Sequence, residues 1–221
     1  EDLDAATLVD VQRFFNAYYA PNNATLALVG DFDTEEVLEK VEMYFGDIPP
    51  RSRPPEMLAF DTYQEAERRT TVRDPFARLP RLDIVFRAPP GNTGDWYILA
   101  VMADILAGGT SSRLYQRLVR EERAAVNAGG GLSERRGPSL VQFVALPTPG
   151  TDLDTLESIV YEEIEKLQTD LVEDWEMEKV LMQIERRNAQ SMRSTLSRAM
   201  SLAENEVFYN NPGLINTSSE R

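Results

Sequence analysis

Val126 to Leu132 and Leu140 to Leu146 are two short runs of strand character on either side of a polar loop, Ser133 to Ser139, which contains Arg136-Gly137-Pro138. Runs this close in sequence pair as an antiparallel hairpin, because a parallel crossover needs about a dozen residues or more. The hairpin disfavours a doubly wound parallel sheet. A third strand is expected where Leu82, Ile84 and Phe86 alternate with Asp83, Val85 and Arg87 before Pro89-Pro90-Gly91 ends the run. Around these strands the helical patterns are interleaved irregularly. One helix is expected from about Asp95 to Leu106, with Trp96, Leu99, Val101, Met102 and Ile105 apolar. Thr151 or Asp152 caps the next, whose Leu153, Leu156, Ile159, Val160, Ile164 and Leu167 form the cleanest 3.6-residue stripe in the chain. Glu173 to about Tyr209 reads as long and mostly helical, stopped by Pro212-Gly213. The fold class that reconciles these elements is α+β and two-layered, a mixed, mostly antiparallel sheet with helices packed on one face.

The first fifty residues read as helix, strand, helix. Val9, Val11, Phe14, Phe15 and Tyr18 stripe one face of Thr7 to Tyr19, and Pro21-Asn22-Asn23 turns the chain. Ala24 to Val29 is a nearly continuous apolar run suited to a covered strand. Asp33 and Glu36 have the spacing of an N-cap and its reciprocal acid, ahead of Val37, Leu38, Val41, Tyr44 and Phe45. Gly46 occupies the expected left-handed C-terminal position. Residues 51–67 alternate proline, charge and aromatics without a period and read as a linker, after which Arg68 to Arg73 could form an edge strand.

Leu106 to Leu132 runs from the end of the third helix through the first strand of the hairpin, and in it a small-residue loop, Gly108 to Ser112, feeds an arginine-rich segment ending at Arg123. Leu114, Leu118 and Val119 sit at helical spacing and can face a core. Arg113, Gln116, Arg117, Arg120 and Glu121 fall on the other faces, as in a helix buried on one side that presents cations on the other. Ser111 or Ser112 can cap it. Arginine suits bidentate contact with a carboxylate or peptide carbonyls, and ion pairing with Glu121, Glu122 or Glu134 is the competing reading.

Charge and missing residue types exclude several functions. The net charge is −14, with lysine only at Lys40, Lys166 and Lys179, which disfavours nucleic acid and anionic membranes. No apolar run approaches the roughly 20 residues that span a bilayer, so a soluble protein is expected. With no Cys there is no thiol nucleophile or thiolate site, and with no His there is no imidazole ligand or general base. Gly108 to Ser112 lacks the lysine of a phosphate loop, so it reads as a cap and close-packing loop. Asp31, Asp33, Glu35 and Glu36 lack a calcium loop's glycine and spacing. Glu157, Glu162, Glu163 and Glu165 read as a solvated helix face, and Trp96 and Trp175 as core residues on apolar stripes.

The string GGTSSRLYQRLVREE at residues 108–122 resembles the second-domain signature of the M16 (insulinase/pitrilysin-like, inverzincin) zinc metallopeptidases. RFFNAYYAPNNATLALVGDFD at 13–33 and VEMYFGDIPP at 41–50 resemble the stretch that closes the first domain of the same family. Together they cover most of the chain in the family's order. The resemblance implies a clamshell of two related α+β halves, the first holding zinc through an H-x-x-E-H helix and a distal Glu, with the motif Glu as general base. This chain has neither His, so zinc is implied for the parent protein or a partner. The resemblance further assigns residues 1–50 to the close of the first domain, 51–67 to the linker and 68–221 to most of the second, non-zinc domain. The chain, which opens on Glu1, is then expected to be a piece of a longer protein.

In active members the second domain carries an Arg in an LxREE-like context and a Tyr seven residues later, which hold the substrate backbone near the zinc. Arg120 matches the arginine. Asn127 stands at the tyrosine position, and its amide can donate a hydrogen bond but carries no phenol. The implied partners are the zinc-bearing N-terminal domain, in the same chain or another, and a peptide substrate. Because the two halves are related, Ala24 to Val29 is expected to fill a vacant strand position, in its own chain or in a second copy by strand exchange. Three functions remain open: the non-catalytic C-terminal portion of a zinc metalloendopeptidase, walling the chamber and contacting substrate; a non-peptidase partner subunit of a heteromeric M16 protease; or an acidic interaction module. A bacterial periplasmic or cytoplasmic setting fits each.

Overall fold

A computed structural model describes residues 5–52, 54 and 64–217. In chain order its elements are α1 (Leu8–Tyr18), α2 (Thr34–Phe45), β1 (Leu82–Pro90), α3 (Gly94–Ala107), β2 (Ala125–Ser133), β3 (Pro138–Pro147), α4 (Leu153–Thr169), α5 (Asp174–Ser191) and α6 (Thr195–Tyr209). The chain divides into two compact units, residues 61–187 and residues 1–60 with 188–221. Among the described residues, no helix is long and apolar enough to cross a membrane.

The larger unit is the two-layer α+β domain expected from the hairpin. Its sheet has the order β1-β3-β2 and is antiparallel throughout, with Phe143 of β3 opposite Ile84 on one side and Gly130 on the other. Strand alternation buries Val141, Phe143 and Ala145 with Ile84, Ala88 and Ala128 on one face. Leu106 of α3 and Leu156, Ile159 and Val160 of α4 complete that core. Each large aliphatic side chain buried there contributes roughly 1.5–3 kcal/mol. Both helices are capped as their sequences require. The Thr93 hydroxyl accepts from the Trp96 N–H at 3.4 Å, and the Asp152 carboxylate accepts from the Thr155 N–H at 2.8 Å. Gly130 is dictated by packing, since a Cβ there would collide with the Gln142 carbonyl and press on Ala107 Cβ at 3.1 Å. The opposite face, carrying Asp83, Val85, Arg87, Asn127, Gln142 and Val144, is not buried by helices.

The smaller unit contains α1, α2 and α6. Thr7 and Asp10 close a capping box on α1, and the Asp33 carboxylate caps α2 by accepting from the Glu36 N–H at 3.0 Å. Arg51 joins this unit through Asn22, whose side chain donates to the Arg51 carbonyl at 2.8 Å, and through its own guanidinium on Asn16 at 3.0 Å.

Several expectations are corrected. Ala24 to Val29 is not a strand, and no strand of the sheet comes from it. A strand needs a ladder partner, and these residues have none among the described residues; Thr25, Leu26 and Ala27 instead line a hollow beside Leu202, Glu206 and Pro212. Residues 68–73 are likewise not a strand. Arg69 is instead fixed by a bidentate pair to Glu157 of α4, at 2.9 and 2.5 Å, so Glu157 is not part of a freely solvated face. Gly46 continues right-handed at φ −61°. The long C-terminal helix breaks at Met192 to Ser194, where the Ser194 hydroxyl caps α6; its end at Tyr209 is where the sequence puts it, but the stop is set by Asn210, left-handed at φ 51°, and not by Pro212. Much of the linker expected over 51–67 lies outside the described residues.

Candidate functional site

The arginine-bearing segment begins as one α-helical turn, Arg113–Tyr115, and widens into a π-helical turn, Gln116–Glu121. The widening is visible in the Glu122 N–H, which donates to the Arg117 carbonyl at 3.0 Å, five residues back. Leu114 and Leu118 anchor the segment in the core, at 1% and 0% exposure. Ser112 precedes the segment but its side chain does not cap it. The buried hydroxyl donates to the Gly109 carbonyl at 2.7 Å, tightening the glycine turn instead. Other carbonyls of that loop are also taken, Ser111 by Lys179 Nζ at 2.8 Å and Thr110 by the Gln116 amide at 2.6 Å, as in a close-packed loop.

Packing separates the four arginines into two kinds. Arg113 forks onto Glu176 of α5, Nε at 2.8 Å and Nη2 at 2.5 Å. Arg117 donates to Glu122 at 3.0 Å, to Glu163 at 2.8 Å and to Glu162. These ion pairs raise both guanidinium pKa values, for Arg117 against the opposing effect of burial. The Arg113 hydrogen bond holds the Glu176 carboxyl below the ordinary carboxylate range. Burial pushes the Glu163 carboxyl up, but Lys166 and Arg117 together hold it down. Ion pairing therefore accounts for Arg113 and Arg117, largely with acids of α4 and α5 that are remote in sequence. Glu162 and Glu163 are accordingly partners of the arginine segment and not merely a solvated face.

Arg120 and Arg123 have no carboxylate partner among the described residues. Arg120 is exposed at the end of the π-helical turn, its guanidinium carbon 5.8 Å from the centre of the Tyr115 ring. Arg123 takes a left-handed φ of 53°, and its carbonyl accepts from Thr148 Oγ1 at 3.1 Å. That bend starts β2, where a bulge between Ala125 and Asn127 sets Asn127 opposite Leu146 on the edge strand, exposed. Beyond it on the same face, Gly131, Gln142, Val144 and Arg135 line an open hollow of about 300 Å³. Arg120 thus closes the π-helical turn, and Asn127 follows the bend at the start of edge strand β2. Sequence reasoning missed Tyr115, because positions five apart do not meet in a regular α-helix. It also misjudged Trp175, which is 59% exposed and lies under Lys179, 5.0 Å from the ring centre.

The residues do not fit a zinc site. The chain offers neither His nor Cys, and among the described residues no group of three or more acidic side chains could hold a metal ion. What the arrangement offers is hydrogen-bond donors, from Arg120 and the Asn127 amide, beside an open sheet edge.

Comparison with known proteins places this geometry in a family. The profile of the Peptidase M16 inactive domain matches residues 5–184. The zinc protease PqqE of Helicobacter pylori is 24% identical over 182 residues, covering 81% of this chain and 41% of that protein. The chain therefore spans about two-fifths of the length of the curated relative it matches. Among solved structures, a protease from Helicobacter pylori superposes with a TM-score of 0.80 at 20% identity, over 99% of this chain and 53% of that one. A chain of Complex III2 from Candida albicans superposes with a TM-score of 0.74 at 14% identity, over 98% of this chain and 53% of that one. At these identities the superpositions establish the fold.

Proposed function

The chain belongs to the peptidase M16 inactive-domain family, and from that premise we propose that it is the non-zinc, C-terminal portion of an M16-like zinc metalloendopeptidase that contacts the peptide substrate through Arg120. The observation that carries the reading is the division of the arginines: two are consumed by buried or half-buried carboxylates, while Arg120 is exposed and has no carboxylate partner among the described residues. An unneutralised guanidinium beside an edge strand suits a peptide carbonyl or carboxylate. The uncovered sheet face forms the chamber wall, and Asn127 supplies a second, neutral donor. Residues 1–50 close the first domain, 51–67 link, and 68–221 form most of the second. The upstream zinc-bearing domain accounts for the apolar faces of α1 and α2, where Leu8 is 72%, Phe14 57%, Met43 71% and Tyr44 70% exposed.

Arg120→Ala in the full protein tests this. Losing a charge-assisted hydrogen bond of roughly 1.5–3 kcal/mol lowers kcat/KM about 10- to 100-fold, and Arg120→Lys recovers part of it. Cleavage unchanged by Arg120→Ala overturns the reading.

Asn127 favours a second reading, a non-peptidase subunit that pairs with a separate zinc-bearing chain, because the phenol is missing from the substrate-holding pair. The fold shared with a chain of Complex III2 is compatible with it. In that case a chain with H-x-x-E-H copurifies with this protein, and the intact polypeptide alone cleaves nothing. Family membership removes the reading as an unrelated acidic interaction module.

A further inference from the structure

We propose that Tyr115 is the positioning residue for Arg120, and that the π-helical turn exists to bring the two together; the proposal rests on the reading of Arg120 as a substrate contact. In a regular α-helix of about 3.6 residues per turn, positions five apart lie about 140° apart around the axis and do not touch. In this segment two such pairs meet. The Arg120 guanidinium sits 5.8 Å from the Tyr115 ring centre, and Arg117 Nε donates to Glu122 at 3.0 Å. Both follow from the widened turn closed by the Glu122 N–H on the Arg117 carbonyl.

The consequence is a sorting of charge. Glu122, two residues from Arg120, is drawn to Arg117, which also takes Glu162 and Glu163. Arg120 is left on a ring that attracts it through its quadrupole without neutralising it or occupying its N–H donors. A guanidinium held this way is ordered before substrate arrives, so less side-chain entropy is lost on binding. Tyr115 is itself half-buried and next in sequence to Leu114, which is anchored in the core.

The test compares Tyr115→Phe, Tyr115→Leu and Arg120→Ala in the full protein, with its zinc-bearing domain, on a fluorogenic peptide. A surface cation–π contact corresponds to about a two- to fivefold effect. Tyr115→Leu therefore raises KM by that factor with kcat nearly unchanged, Tyr115→Phe stays within about twofold of the parent, and Tyr115→Leu combined with Arg120→Ala is no worse than Arg120→Ala alone. In the present chain, the Arg120 Nε–H resonance is shifted upfield by the ring, keeps that shift in Tyr115→Phe and loses it in Tyr115→Leu. Tyr115→Met repeats the comparison if the leucine variant unfolds. Wild-type KM in the ringless variants, or losses that add to those of Arg120→Ala, overturn the proposal while the substrate-contact reading stands. Wild-type cleavage by Arg120→Ala overturns both.

Discussion

Glu176→Ala removes the group that ties the arginine-bearing segment to α5. The Glu176 side chain is 6% exposed and that of Arg113 18%, and Glu176 also accepts from the Glu173 N–H at 3.3 Å. Truncation leaves a guanidinium and an amide without their acceptor in a mostly dry site. Breaking a buried ion pair costs about 3–5 kcal/mol, and because Arg113 keeps some access to water we expect a cost at or just below the bottom of that range, about 2–3 kcal/mol. The assay is urea unfolding followed by tryptophan fluorescence. Both tryptophans, Trp96 and Trp175, lie in the unit of residues 61–187, so the signal reports the unit that is perturbed. Glu176→Ala lowers the midpoint accordingly, and Arg113→Met with Glu176→Met recovers much of the loss, since an apolar pair has no stranded charge. The carboxyls of Glu176 and Glu163 are both held below the ordinary glutamate value of 4.5, so their stabilisation is present above that pH and is lost as pH falls through the depressed folded values. Wild-type stability therefore declines in that acid range more steeply than that of Glu176→Ala. A cost under about 0.5 kcal/mol for Glu176→Ala, or equal acid sensitivity of the two proteins, refutes the argument.

The β2 glycines separate two roles. Gly130→Ala must displace the β3 backbone or Ala107 and costs about 1–3 kcal/mol, whereas Gly131→Ala points into open space and stays within about 0.5 kcal/mol, both read from urea midpoints. This chain on its own is expected to bind a hydrophobic dye and to self-associate with rising concentration in sedimentation velocity, because apolar residues of α1 and α2 are exposed; Phe14→Ser with Tyr44→Ser weakens both effects.

Local patterns carried the larger unit. The hairpin, the alternation of Leu82 to Phe86 and the stripe from Leu153 to Leu167 each match an element of the structure because each is specified within a few residues and by one face of a core. Ala24 to Val29 shows the limit: its apolar run suits a strand, but strand formation depends on a neighbour that no local pattern supplies. The candidate site was legible only in part. Arg120 and Asn127 stood out through the family resemblance, while the division of the arginines depended on Glu162, Glu163 and Glu176, 42 or more residues further along the chain than Arg120. The π-helical turn breaks the 3.6-residue register on which periodicity rests, so the Tyr115 contact could not be read from spacing.

Cleavage of a fluorogenic peptide by the intact polypeptide, with and without a zinc chelator, tests the central claim most directly. The account predicts cleavage that chelation abolishes, zinc restores and Arg120→Ala lowers about tenfold or more, with an H-x-x-E-H helix in the sequence upstream of this chain. An intact polypeptide that lacks that helix, and that cleaves no peptide alone or with a copurifying M16 chain, contradicts it.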